Sequence, residues 1–192
     1  MNKFTVLILI FFTLASCEQK IESISQNSMQ EVSIQGNRIV LHNFDELIKD
    51  ADFAGIVQSE QPFENQKHNV TFTEDGFVEN FSTNTNVKIL EVFKGDKEIW
   101  ENFDLIEPAS IIEINGEKYR FIIDDYKVLR PNISYIVFLK KNDNGELAVS
   151  NLNESIFPAE VTQEATVTAR WVEVNSERAS IYQEIMEKWW TK

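Results

Sequence analysis

Val87-Lys88-Ile89-Leu90-Glu91-Val92-Phe93-Lys94-Gly95 is the stretch that decides how this chain folds. Val87, Ile89, Glu91 and Phe93 alternate with Lys88, Leu90 and Val92, the two-residue period of a β-strand. Apolar residues fall on both faces, so the strand is either packed on both sides or bent around a barrel. It reaches back to Phe81, and Lys94-Gly95-Asp96 turns it.

Further strands lie on either side. Phe53-Ala54-Gly55-Ile56-Val57 reads as a buried strand in which Gly55 marks a bulge or a close approach. Upstream, Asn43 is placed to cap a short helix over Phe44 to Asp50, with Asp45 and Glu46 suited to its first turn. Residues 59 to 80 read as irregular and polar, with a short strand at Val70 to Thr73. Downstream, Phe103 to Ile106 is a strand that Pro108 ends. Ile111 to Ile114 and Lys118 to Ile123 flank Asn115-Gly116, the strongest short-range hairpin signal. Arg130-Pro131-Asn132 is a turn, Ser134 to Lys140 a core strand, and Asn142 to Gly145 a turn into Glu146 to Val149. Ser176 caps a terminal helix over Glu177 to Trp190, with Ile181, Ile185 and Trp189 on its apolar stripe and Trp190 about 100° away. The expected fold is mainly β: a small, closed or half-closed antiparallel barrel with a short N-terminal helix and a C-terminal helix.

Three strings carry a family resemblance: Ala54-Gly55-Ile56-Val57, then Val87 to Gly95, then Tyr135-Ile136-Val137-Phe138-Leu139. Together, over roughly residues 44 to 150, they resemble the netrin/TIMP-type OB barrel and are similar to bacterial lipoproteins with the same strand order. The resemblance implies an OB-like barrel. The disulfides of netrin-type domains have no counterpart, because the chain has 1 cysteine. The free N-terminal cysteine with which TIMPs grip a protease zinc has none either, so metalloprotease inhibition by that route is not implied.

That one cysteine follows a leader. Lys3 precedes an apolar run from Phe4 to Phe12, broken only by Thr5, and Leu14-Ala15-Ser16-Cys17 follows it. At ~1.5 Å per residue the run is short for a ~30 Å hydrocarbon core, so it reads as a signal-peptide core with a small-residue cleavage site. The segment resembles bacterial lipoprotein signals. The resemblance implies cleavage before Cys17, acylation of its thiol, and an extracytoplasmic protein lipid-anchored to a bacterial cell membrane or outer membrane. The expected organisation is a signal peptide over 1–16, a lipidated cysteine with a flexible tether over 17–37, and a single β-rich globular domain over 38–192. Val32 to Ile34 or Arg38 to Leu41 is the stretch expected to join a sheet edge. An extended tether of about 20 residues spans ~60 Å, and a flexible coil averages nearer ~25 Å.

Composition narrows the function. The 31 acids against 18 Lys and Arg leave a formal charge of -13. That balance opposes nucleic acid, which demands basic patches, and opposes lying flat on anionic lipid. The 6 glycines form no phosphate loop, and no Gly-x-Ser-x-Gly elbow is present. The only histidines, His42 and His68, stand apart and read as surface or satisfied polar residues, where zinc needs three or four converging ligands. Asn142 to Glu146, Glu74-Asp75-Gly76 and Asp124-Asp125 could be drawn toward calcium, but turns explain each. No catalytic residue, metal ligand or cofactor is expected. Aromatic residues are the remaining lead: Phe63, Phe72 and Phe77 in the irregular segment, with Trp100 and Trp190, are the candidate partner contacts. The reading is a non-enzymatic cell-envelope lipoprotein that binds a protein or other envelope ligand, with the membrane engaged through lipid on Cys17. The alternative is an enzyme or metal-dependent module whose site is assembled only in the fold.

Overall fold

A computed structural model describes residues 29–37, 40–95, 102–159 and 176–190. The leader, Cys17 and Trp100 lie outside the described residues, as does the side chain of Trp190.

Five strands close into a barrel: β2 (Phe53–Gln58), β4 (Val78–Lys94), β5 (Asn102–Glu107), β8 (Ser134–Lys141) and β9 (Leu147–Val149). Around the ring the order is β8-β2-β4-β5-β9, and β9 pairs back onto β8. Every pairing is antiparallel except β5 with β9, which meet in parallel at Ile106 and Ala148. Closure leaves the ring without a free edge. This is the small, mostly antiparallel OB-like barrel expected from the sequence.

The deciding strand is bent, not covered on both sides. In β4, Ile89 pairs with Val57 and Glu91 with Ile56, which leaves Leu90 as the extra residue of a bulge. A second shift skips Phe93 between Val92 and Lys94. Each bulge flips the alternation. Val87, Ile89 and Val92 therefore pack on the barrel core, Phe93 joins the helix side, and Leu90 is left 47% exposed. Gly55 makes the bend possible. A Cβ there would stand 2.3 Å from the Glu91 carbonyl oxygen and 2.9 Å from the Phe53 ring.

Strands β2 and β8 are covered on both faces. Val57, Tyr135, Val137 and Leu139 fill the interior, while Ala54, Ile56, Ile136 and Phe138 face a second core under the helices. Helix α1 (Phe44–Asp50) contributes Phe44 and Leu47 to that second core. Its cap is as expected: Asn43 Oδ1 accepts from the Glu46 N–H at 2.9 Å. Helix α2 (Ser176–Ile185) adds Ile181 and Ile185, both fully buried. The chain then winds into a π-helical turn over Met186–Trp190. There Trp189 stacks on Phe93 at 4.0 Å and on Phe138 at 5.6 Å, the stripe position expected for it. Arg178, buried and lying over the Phe157 ring, donates to the Asn153 and Ile156 carbonyls and fastens α2 to the barrel. Burial pulls its pKa down to about 10, so it remains a cation at neutral pH. Strand β10 (Ile156–Pro158) extends the sheet beside β8.

The stretch read as irregular is instead largely a hairpin. Strand β3 (Lys67–Phe72) pairs with the first half of β4 around a turn at residues 73–77. Its outer face is solvated and carries few apolar residues, which hid the alternation. Strands β6 (Ala109–Ile114) and β7 (Glu117–Ile123) form the Asn115-Gly116 hairpin, with both turn residues at positive φ. Strand β1 (Gln30–Ile34) joins the edge of β7 in parallel, so Val32 to Ile34 takes the sheet-edge position.

Candidate functional site

Glu107, the last residue of β5, organises the polar contacts between the barrel and the segment that follows β7. It is completely buried and none of its hydrogen bonds comes from a cation. One oxygen takes the Thr85 hydroxyl. The other accepts from Tyr126 Oη at 2.8 Å and from the Leu129 N–H at 2.9 Å. Burial pushes its pKa up, against the downward pull of the three donors. Burial also holds the Tyr126 hydroxyl protonated, since its pKa lies well above the ordinary 10.0.

These bonds fix the segment between β7 and β8, and others reinforce it. The Lys127 N–H reaches Asn153 Oδ1 at 2.9 Å, and Asn153 Nδ2 returns a bond to the Asp125 carbonyl at 2.9 Å. The Arg130 N–H meets Tyr135 Oη at 3.3 Å, and the Asn132 N–H meets the Ser59 carbonyl at 2.7 Å. Asn132 takes a φ of 61°, a left-handed conformation that Asn tolerates. The segment is irregular, yet four backbone donors between residues 127 and 132 end on barrel or loop acceptors.

This pinned segment forms one wall of a cleft of about 250 Å³. The opposite wall is the single 3-10 turn Phe63–Asn65, with Arg120 of β7 alongside. The Arg120 guanidinium lies 5.7 Å from the Phe63 ring centre and pairs with Glu64 at 2.7 Å. Glu31 of β1 completes the rim and faces Lys127 at 4.0 Å. Phe63, Tyr126 and Leu129 supply buried apolar surface below. The cleft thus gathers three cations, Arg120, Lys127 and Arg130, on an apolar floor in a strongly acidic chain.

Of the aromatic candidates, Phe63 is 3% exposed and belongs to the barrel core, so it serves as cleft lining and not as a surface anchor. Phe72 and Phe77 flank the β3–β4 turn, 50% and 72% exposed. The Glu74-Asp75-Gly76 segment between them is a tight turn closed by the Gly76 N–H on the Thr73 carbonyl at 2.9 Å. The Asn142 loop is likewise a turn, with Asn142 Oδ1 accepting from the Asn144 and Glu146 N–H groups. His68 links the two sheets. Its Nδ1 lies 2.8 Å from Thr83 Oγ1 and accepts from the Ile111 N–H at 3.3 Å. Burial lowers its pKa, which keeps the ring neutral as that acceptor role requires. Among the described residues, no group of three His, Cys, Asp or Glu could hold a metal ion. No helix among them is long and apolar enough to cross a membrane.

Sequence reasoning missed Glu107 and the cleft cations altogether. Glu107 is one of 31 acids, and the cleft draws on four separate stretches of chain. The one available signal was Glu107 following the alternating Phe103, Leu105 of its strand, which puts it on the inward face. No protein-family model matches this chain, and neither does any curated protein sequence.

Proposed function

We propose that this chain is a lipid-anchored, non-enzymatic binding module of the bacterial envelope, carried on an acylated Cys17 and binding its ligand in the cleft between the Phe63 turn and the 126–131 wall. The observation that carries the reading is the wall itself. Its backbone donors are already committed to the barrel, so the cleft is shaped before any ligand arrives, the condition for binding at low ordering cost. Glu107, the buried acid with a raised pKa, is the natural suspect for acid–base catalysis. It is sealed beneath the wall with both oxygens engaged, and it acts as a strut. In the same reading, Phe72 and Phe77 form the side of the module that meets an envelope protein.

The test has two readouts in a bacterial host. Cys17→Ser releases the protein from the membrane fraction and removes the mass of the acyl chains; retention in membranes at unchanged mass refutes the anchor. A turnover activity that Glu107→Gln abolishes in a folded protein refutes the binding-module reading.

A further inference from the structure

We infer that the cleft binds a small monocarboxylate bearing an apolar side group. This rests on the binding-module reading above and specifies its ligand. Charge is the first argument. The whole chain has 31 acids to 18 Lys and Arg, yet the cleft reverses the ratio with Arg120, Lys127 and Arg130 against Glu31 and Glu64. Glu64 is engaged by Arg120 at 2.7 Å, and Glu31 stands 4.0 Å from Lys127. Arg130 is exposed, and its guanidinium makes no ion pair among the described residues. Among the groups that reach the rim the excess is thus one positive charge, which a single anionic group balances; Glu107 lies sealed below, its oxygens taken by Thr85, Tyr126 and the Leu129 N–H. A guanidinium fork matches a carboxylate's two oxygens. A dianion such as phosphate brings a second charge toward Glu31 and Glu64.

Size and lining supply the second argument. At about 250 Å³ the cleft falls just below the ~300–1,000 Å³ of pockets for drug-sized ligands, so it suits a ligand of amino-acid size or the end of a chain. The half-buried Val128 and Pro131, backed by the buried Phe63, Tyr126 and Leu129, offer the apolar surface on which a side group rests while the carboxylate reaches the cationic rim. The wall's fixed backbone keeps rim and floor in register.

The experiment is calorimetric titration of the full-length protein, purified from membranes in detergent micelles. N-acetylphenylalanine is the probe, compared with N-acetylphenylalaninamide, N-acetylalanine and inorganic phosphate. The acid binds at least tenfold more tightly than the amide and than N-acetylalanine, and more tightly than phosphate. Arg130→Gln and Lys127→Gln each weaken it at least fivefold, while Lys88→Gln on the outside of β4 leaves it unchanged. A tetrapeptide ending in phenylalanine binds as well as the acid if the source is a chain end, and more weakly if it is a free acid. The inference is overturned if acid and amide bind alike, if neither binds, if phosphate binds as tightly, or if Lys88→Gln weakens binding as much as Arg130→Gln. Those failures leave the anchoring test on Cys17→Ser untouched, so the two readings fail separately.

Discussion

Replacing Glu107 separates its two properties, its shape and its charge. Glu107→Ala strips the acceptor from Tyr126 Oη and from the Leu129 N–H, both deep in the protein. Each orphaned buried donor costs about 1–3 kcal/mol, so the two together cost roughly 2–6 kcal/mol before any cavity is counted. Set against a typical ~5–15 kcal/mol of folding free energy, that is a large fraction. Glu107→Gln behaves differently. Its carbonyl accepts from Tyr126 and Leu129, and its amide donates to the Thr85 hydroxyl, so all three contacts survive without an ion to bury. The pH dependence follows from the raised pKa. The folded state holds this proton more tightly than the unfolded chain does. The stability it contributes is therefore full below the ordinary 4.5 and is lost as pH rises through the raised folded-state value. Urea denaturation from pH 4.5 to 8, followed by circular dichroism, checks both parts. E107A is destabilised by several kcal/mol throughout, whereas E107Q gains on the wild type as pH rises. An E107Q protein as unstable as E107A, or one that loses ground to the wild type as pH rises, would falsify the strut.

Two further substitutions probe the barrel. Gly55→Ala sets a methyl 2.3 Å from the Glu91 carbonyl oxygen, and the backbone cannot yield without spoiling the β2–β4 pairing. We expect a loss of roughly 3 kcal/mol in thermal or urea unfolding, and a loss under 1 kcal/mol would refute the tight approach. Trp189→Ala removes two ring stacks from a partly buried position. It costs about 2–3 kcal/mol and flattens the near-ultraviolet dichroism, while an unchanged spectrum would place the indole elsewhere.

Much of the barrel was legible because its strands obey local rules. Gly55 inside an apolar run, Asn115-Gly116 between two alternating stretches and the Ile181, Ile185, Trp189 stripe each mean the same thing in isolation as in the fold. The first half of β4 was harder to read. Its inward positions include Thr83 and Thr85, whose buried hydroxyls serve Ala109 O and Glu107, so the period-two pattern is present but not apolar. Phe63 failed in the opposite direction. It sits in a polar loop, but the turn at Phe63–Asn65 folds it into the core. The cleft was beyond reach because proximity between residues 31, 64, 120, 127 and 130 is a property of topology and not of spacing.

The pairing of β1 with β7 has a mechanical meaning. A pull on the chain before Gln30 reaches the domain through β1, which lies parallel to β7 over five register pairs from Gln30–Tyr119 to Ile34–Ile123. A load applied along the strand shears those pairs together, whereas one across it would peel them singly. Behind them, the Asp124 N–H holds the Ile34 carbonyl at 2.8 Å, and Ser33 Oγ donates to the Asp124 carbonyl at 2.6 Å. β1 is thus a clasp that shares tension, and Glu31, which it carries to the cleft rim, moves with it. Tension on the chain before Gln30 would be felt first at the cleft whose rim Glu31 completes.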